Sequence, residues 1–576
     1  MSLLLERLRG AALLGQFMLV LRDELKGDKA EAEVVEVLVE LQRNGDFDVL
    51  SEFKALDKVD VGCEAFSLVL LFNKWLLGVS APMADVLNCV MHVEGLMAGA
   101  GTIQAFEDYC KKERGRPHSA LEVALESSNL FPLISSIMIA GSAYDFPFFH
   151  NRALLLLKSE SAITRAQALM ACARFSYDGA CGALEKTINC IEQLISAPCD
   201  EDQKSIALSA LISMASTPGR NNELLILAVI KKILLDHRPL IVRAAARAFA
   251  MVDIVKNSQL ACMLLEFFEA IPVVDKGILD IVSVGLQKYL IGDRFIEAIE
   301  FVECLLEKHE SLSLSSFGHV SYLLSRAENR TLLGFLITRW LLSNNYKLAG
   351  SIAALVAGDG LSGIPVSADA NTLKALPSDS PVLLAKKACA YLFVYPVSAA
   401  SYIISMMAIL PPEKAESLAG VLYYPLGMSY PSSVKEYINS LWGPHSSSFQ
   451  SAINTFNEAL SEYHNGLSVA DGAEELQPSV AQREAYNLKF HREMQESFNG
   501  ARKNSLLTQL MGKPSVILYG NSSINYIYPG KGDDRLRQET PMQSVSTSME
   551  FPSLDCLEHH QLEYFLRISK MTRITK

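Results

Sequence analysis

The sequence predicts a mostly α-helical fold, an α-solenoid of stacked helical pairs, with a small C-terminal α+β module. Three observations predict it. First, residues 163–169, 203–208 and 241–248 read as copies of one helix, and their basic residues Arg165, Lys204 and Arg243 fall at intervals of 39 residues. That period suits helical pairs, each of which can bury its apolar face only by stacking on a neighbour. Second, 576 residues are too many for one ordinary core unless the core is elongated by repetition. Third, the pattern changes after residue 512, where short β-branched and aromatic runs replace helical stripes.

Composition narrows the functional classes. Half of the residues are apolar and 20% are charged, the balance of a folded chain. The net charge of −12 argues against nucleic acid as the main partner, because neutralising phosphates takes clustered Lys and Arg. Cys172, Cys181, Cys190 and Cys199 recur every nine residues. Zinc ligands pair within a few residues on a turn, so these four read as small buried side chains in a reduced, cytoplasmic chain. The apolar run from Ala11 continues into Arg22, Asp23, Glu24 and Lys26 rather than a cleavage site, which predicts an amphipathic helix and no signal peptide.

Residues 1–145 form an N-terminal helical region. Val34, Val35, Val37, Leu38 and Leu41 draw one helical stripe, and 66–79 and 83–97 are similarly apolar. The repeats occupy 146–357, in pairs 151–158 with 162–175, 183–195 with 201–215, 224–235 with 239–252, and 259–270 with 276–290. A fifth pair opens at 294–308.

The third pair carries Asp236-His237-Arg238-Pro239 in its turn, then Val242-Arg243-Ala244-Ala245-Ala246-Arg247-Ala248 on its second helix. This pattern resembles the HEAT repeat. The resemblance implies close helix packing through the small residues. It also implies a ladder in which the turn Asp and helix Arg of adjacent units are hydrogen-bonded. Arg165, Lys204, Asp236 and Arg243 are therefore the candidate ladder or concave-face residues. Asp236 stands one position further from Arg243 than the family pattern has it, and the unit at Lys204 lacks a clean match. HEAT-like or armadillo-like repeats imply an architecture and no activity.

A Gly-, Ser- and Pro-rich boundary spans 358–380, and further helical pairs occupy 381–464. Residues 388–410 hold no charge and are long enough to cross a bilayer. Pro396 and the serines 398, 401 and 405 instead favour two buried helices. Residues 465–512 read as a linker and charged helices, and 513–576 as a β-meander plus helix. Its strands are expected at 516–519, 524–528 and 545–551.

No motif carries chemistry. The Gly358-Asp359-Gly360-Leu361-Ser362-Gly363 match to a dinucleotide loop follows a helical segment and precedes Ile364-Pro365, so it reads as a loop. Cys556, His559 and His560 bring too few metal ligands, and Glu297, Glu300 and Glu303 read as a solvated acidic face. No catalytic, cofactor-binding or metal-binding residue is assigned. The expected function is a non-catalytic scaffold or adaptor that binds a protein partner, as a subunit of a larger assembly. The alternatives are a nucleic-acid-binding solenoid and a membrane-associated helical component; the oligomeric state stays open.

Overall fold

A computed structural model describes residues 2–26, 31–45, 47–57, 65–178, 180, 182–197, 200–215, 223–271, 275–292, 294–357, 362–441, 447–470, 472–473, 478–504, 518–519, 522–527, 536–541, 550 and 552–574. They are mostly helical. The chain divides into two compact units, Met1–Phe295 and Ile296–Lys576. The 358–380 segment expected as a boundary lies inside the second.

The first unit opens with Ser2–Leu13 (α1), Phe17–Lys26 (α2), Glu31–Asn44 (α3) and Val49–Lys54 (α4). Ala65–Leu76 (α5), Met83–Leu96 (α6), Thr102–Lys111 (α7), Arg116–Glu126 (α8), Ile134–Ser142 (α9) and Phe146–Leu156 (α10) follow. Ala162–Arg174 (α11), Ala183–Ser196 (α12), Glu201–Ala215 (α13), Glu223–Leu234 (α14), Pro239–Met251 (α15), Ser258–Ala270 (α16) and Lys276–Ile291 (α17) complete it. From 162 onward these bounds differ from the expected ones by a residue at most. Helix α10 starts five residues before the expected 151. There the Asp145 carboxylate accepts the Phe148 N–H and Pro147 occupies the first turn, both strong start signals.

Every second helix stacks on the next. Helix α5 packs on α7, α7 on α9, α9 on α11, α11 on α13, α13 on α15 and α15 on α17. The partners α10, α12, α14 and α16 form a second row in the same sequence. Small residues set the spacing, as a Cβ on Gly285 would stand 2.3 Å from the Phe249 ring. Phe249 is fully buried between Phe268 and Tyr289, with ring centroids 6.0 and 5.8 Å away.

The second unit begins one residue into Phe295–Lys308 (α18) and continues with Gly318–Ser325 (α19), Arg330–Leu342 (α20), Tyr346–Val356 (α21), Ala370–Ala375 (α22), Ser380–Leu392 (α23) and Pro396–Ile409 (α24). It continues with Pro412–Val421 (α25), Pro431–Ser440 (α26), Ser447–Ala470 (α27), Val480–Asn504 (α28), Ser553–Leu557 (α29) and His559–Met571 (α30). The uncharged 388–410 run is split between α23 and α24, which pack on each other, each with a proline in its first turn. No described helix is long and apolar enough to cross a membrane.

Residues 362–369 are laid along α24 outside any helix or strand. Ser398 donates to the Ile364 carbonyl (2.6 Å), while Ser401 and Ser405 accept the Val366 and Ala368 N–H groups (2.9 and 2.8 Å). Gly334 of α20 lets the strip approach, since a Cβ there would sit 2.0 Å from the Ser367 carbonyl oxygen. Backbone that would otherwise be buried without partners is thus satisfied by a serine row at helical spacing. Glu303 departs from the expected solvated face. It is gripped by both ends of the Arg339 guanidinium (2.9 and 2.8 Å) and by the Trp340 indole N–H (2.8 Å).

Three short strands are described: Leu518–Tyr519 (β1), Ser522–Ile527 (β2) and Leu536–Pro541 (β3). They pair antiparallel in the order β1-β2-β3, with Ser522 opposite Pro541 and Ile527 opposite Leu536. The third strand is Leu536–Pro541, a polar run with no apolar alternation to mark it. Apart from Glu550, the expected strand at 545–551 lies outside the described residues. The expected linker from 465 is helical up to Ala470, because α27 runs on. At the C-terminus α30 packs on α23, and Glu550 caps α26 by accepting the Ser432 and Ser433 N–H groups (2.8 and 2.7 Å).

Candidate functional site

The four residues singled out from the repeats fall into different environments. Lys204 of α13 reaches the next turn, its Nζ 2.9 Å from Asp236 Oδ2. Arg238 clamps the same carboxylate through Nε and Nη2, at 2.9 and 2.7 Å. The Arg238 guanidinium and the Lys204 ammonium hold the Asp236 carboxyl well below the usual carboxylate range. One turn from Lys204, Glu201 accepts the Leu240 N–H at 2.6 Å and so caps α15. Two side chains of α13 therefore fix the start of α15, its neighbour in the row.

Arg165 and Arg243 take other roles. Arg165 donates to the carbonyls of Ser159 and Glu160 (2.7 and 2.8 Å), closing the turn of its own pair. Lys204 pairs 32 positions ahead, and the same step from Arg243 reaches Asp275. That carboxylate is taken by the Gly277 and Ile278 N–H groups of α17 (2.8 and 3.1 Å). Arg243 is exposed and makes no ion pair or hydrogen bond among the described residues.

What Arg243 does line is a groove of about 630 Å³, on the row formed by α7, α9, α11, α13 and α15. Small residues form much of its wall, Ala173, Ser205, Ser209, Ala210 and Ala244 among them. Ile103, Ile139, Met170, Ile206 and Leu240 supply apolar surface, and Met170 is 46% exposed. The size is that of an ordinary ligand or peptide cleft.

Charge in the groove is uneven. Arg174 is spent on Glu107, a carboxylate only 1% exposed that also binds Lys111 at 2.7 Å. Arg243 and Arg247, one turn apart on α15, face no carboxylate within ion-pair distance among the described residues. Asp202 is the acidic residue of the lining. Sequence reasoning missed Arg247, Arg174 and Met170. The signal for Arg247 was its place four residues after Arg243, with no Asp or Glu on the same helix to pair with either.

Three cysteines of this unit, Cys89, Cys110 and Cys172, are buried. Burial pushes the thiols of Cys89, Cys110 and Cys172 up to about 12, so none is a thiolate near neutrality. Cys181 and Cys199 lie outside the described residues. Buried His150 holds Thr187 Oγ1 at 2.8 Å inside an aromatic cluster with Phe146, Phe175 and Tyr177, and its pKa is lowered by burial. Among the described residues no three His, Cys, Asp or Glu side chains gather as a metal site. No protein-family model matches the chain, and no curated protein matches it in sequence.

Proposed function

We propose that the chain is a non-catalytic scaffold or adaptor, whose stacked pairs form a HEAT-like solenoid and whose groove receives an amphipathic helix with an acidic edge. One observation carries the reading: an apolar groove lined by small residues includes two arginines, Arg243 and Arg247, with no ion-pair partner among the described residues. Shallow walls of Ala and Ser admit a helix backbone closely, and the apolar face of such a helix would cover Met170 and Leu240. An arginine without a carboxylate partner costs nothing in broken ion pairs when an acidic partner arrives. Its charge then acts on association rate and orientation. The net charge of −12 keeps a long nucleic-acid track unfavourable. The partner would be a protein, met in the cytoplasm as part of a larger assembly.

The test is affinity purification from the native source with the intact chain and with an Arg243→Glu, Arg247→Glu double variant. A stoichiometric partner retained by the first and lost by the second supports the reading. If the intact chain retains no partner, or if both chains retain the same one, the groove is not the docking site. Retention of DNA or RNA at low salt, in place of protein, would overturn the scaffold reading. Shortening the chain before 513 is a poor control, because α30 packs on α23 within the second unit.

A further inference from the structure

A second cavity, of about 910 Å³, lies wholly within the second unit. Its lining is strongly basic among the described residues: Lys387 of α23, Arg567 and Lys570 of α30, and Arg573 just beyond, against the carboxylate of Glu563. Tyr346 and Tyr391 stand in the same wall.

Lys387 is the unusual member. It is 2% exposed, yet among the described residues its Nζ has one hydrogen-bond partner, Asn344 Oδ1 at a long 3.3 Å. Asn344 is itself committed. It sits at φ 57°, and its side-chain amide pairs with the Ile574 backbone in both directions, at 3.1 Å each. Its oxygen is therefore shared between the Ile574 N–H and the lysine. An ammonium has three donors, so two of those on Lys387 have no described partner. Burial without a counter-charge pushes the Lys387 pKa down. A chain fixes a lysine in this way at a cost, and an anion in the cavity would offset it.

The three exposed cations point the same way. Arg567, Lys570 and Arg573 recur at three-residue steps, and none makes an ion pair among the described residues. Lys570 rests over the Tyr391 ring, 5.6 Å from its centroid. Lys570 and Arg573 stand where cations favour the C-terminal end of a helix dipole, which accounts for those two. It does not account for Lys387, which is on another helix, or for Arg567 a turn earlier. The charges approach from two chain segments more than 170 residues apart. Such convergence suits a tetrahedral dianion better than a planar carboxylate, which one Arg fork can hold.

We propose that this cavity binds a soluble organic phosphate, with the phosphoryl group seated on Lys387 between Arg567 and Arg573 and the organic part against Tyr346 and Tyr391. The site is independent of the groove in the first unit.

The probes are ADP and inorganic pyrophosphate, titrated calorimetrically into the full chain at low ionic strength. Citrate and vesicles bearing phosphoinositide serve as comparisons. Saturable one-to-one binding of ADP or pyrophosphate is expected, weakened at least tenfold by Lys387→Met. Because Lys387→Met changes a buried position, its melting temperature is measured alongside and should equal or exceed that of the unaltered chain, a buried charge having been removed. An Arg567→Gln, Lys570→Gln variant, altered only at exposed positions, should weaken binding several-fold with an unchanged melt. No binding of either phosphate compound overturns the proposal, as does binding that survives both variants. Equal affinity for citrate would make the cavity a general anion trap. Binding seen only on vesicles would make it a lipid-headgroup site.

Discussion

Side-chain ties hold neighbouring helices together in both units, and the second adds a strip of backbone. In residues 1–295 the ties run between side chains and the next turn. Lys204 and Arg238 meet at Asp236, Glu201 caps α15, Lys232 pairs with Glu192, and Lys288 donates to the Val252 carbonyl at 3.0 Å. In residues 296–576 such ties recur, Glu303 to Arg339 among them, and a piece of backbone is added, as the 362–369 strip is hydrogen-bonded to Ser398, Ser401 and Ser405. Side-chain ties at the turns leave the broad face of a helix row open, whereas a bound strip fills it. The open face is where the proposed partner helix would lie.

The largest expected effect tests whether the units are energetically separate. Phe249→Ala removes a fully buried ring from between Phe268 and Tyr289 and should cost about 3–5 kcal/mol. Hydrogen exchange should rise in α15, α16 and α17 while the amides of Val366 and Ala368 keep their protection. Equal loss of protection at both places would mean one cooperative body, and the contrast between the units would lose its energetic meaning.

The converse change acts on the strip. Ser401→Ala leaves the buried Val366 N–H without its acceptor at 2.9 Å, an expected cost of about 1–3 kcal/mol. Exchange should quicken at Val366 and Ala368, with α15 unaffected. Ser401→Thr, which keeps a hydroxyl, should recover part of the loss. If Ser401→Ala changes nothing, the strip is held by packing alone and the serine row is incidental.

Those two outcomes bear on what the sequence could disclose. The helices were legible because packing imposes an apolar period, and α11 to α17 fall within a residue of where that period puts them. The strip was not legible as structure. Gly363, Pro365 and the serines around them have turn composition, and only the partner row 398, 401 and 405, far along the chain, gives the segment its place. The same limit applies to the ladder. Lys204 and Arg243 look equivalent in sequence, but whether a carboxylate 32 positions on is free depends on its local turn. Asp236 is available, while Asp275 is consumed as a helix cap. Lys387 was hidden because the Lys386-Lys387 pair does not disclose which of the two is buried.

A smaller effect is expected at Asp236. Its carboxyl is held below the ordinary range by Arg238 and Lys204, so its contribution is fully present above the unfolded value of about pH 4. The contribution is lost as pH falls below that value toward the folded pKa. Asp236→Asn should therefore cost about 1 kcal/mol at pH 7, the range of partly exposed ion pairs. Urea titrations of both proteins should converge as the pH drops below about 4. A difference that stays constant with pH would mean that the amide disturbs the turn rather than the charge.

The smallest expected change in stability is the most informative, at Arg243. The 39-residue period makes it the counterpart of Lys204, and a ladder member replaced by Ala should lose about as much as Asp236→Asn. Its guanidinium instead has no described partner and lines the groove beside Arg247. Arg243→Ala should then leave the urea midpoint within about 0.5 kcal/mol of the parent, as for other unpaired surface positions. Capture of an acidic helical partner should fall about tenfold, one desolvated charge contact at a rim. The two readouts separate the roles. Lost stability with retained capture would put Arg243 back in the ladder and leave the groove without its anchor. Unchanged stability with lost capture would mean that one repeat position serves as a tie in one unit and as a contact in the next, decided only by whether the following turn has a carboxylate to spare.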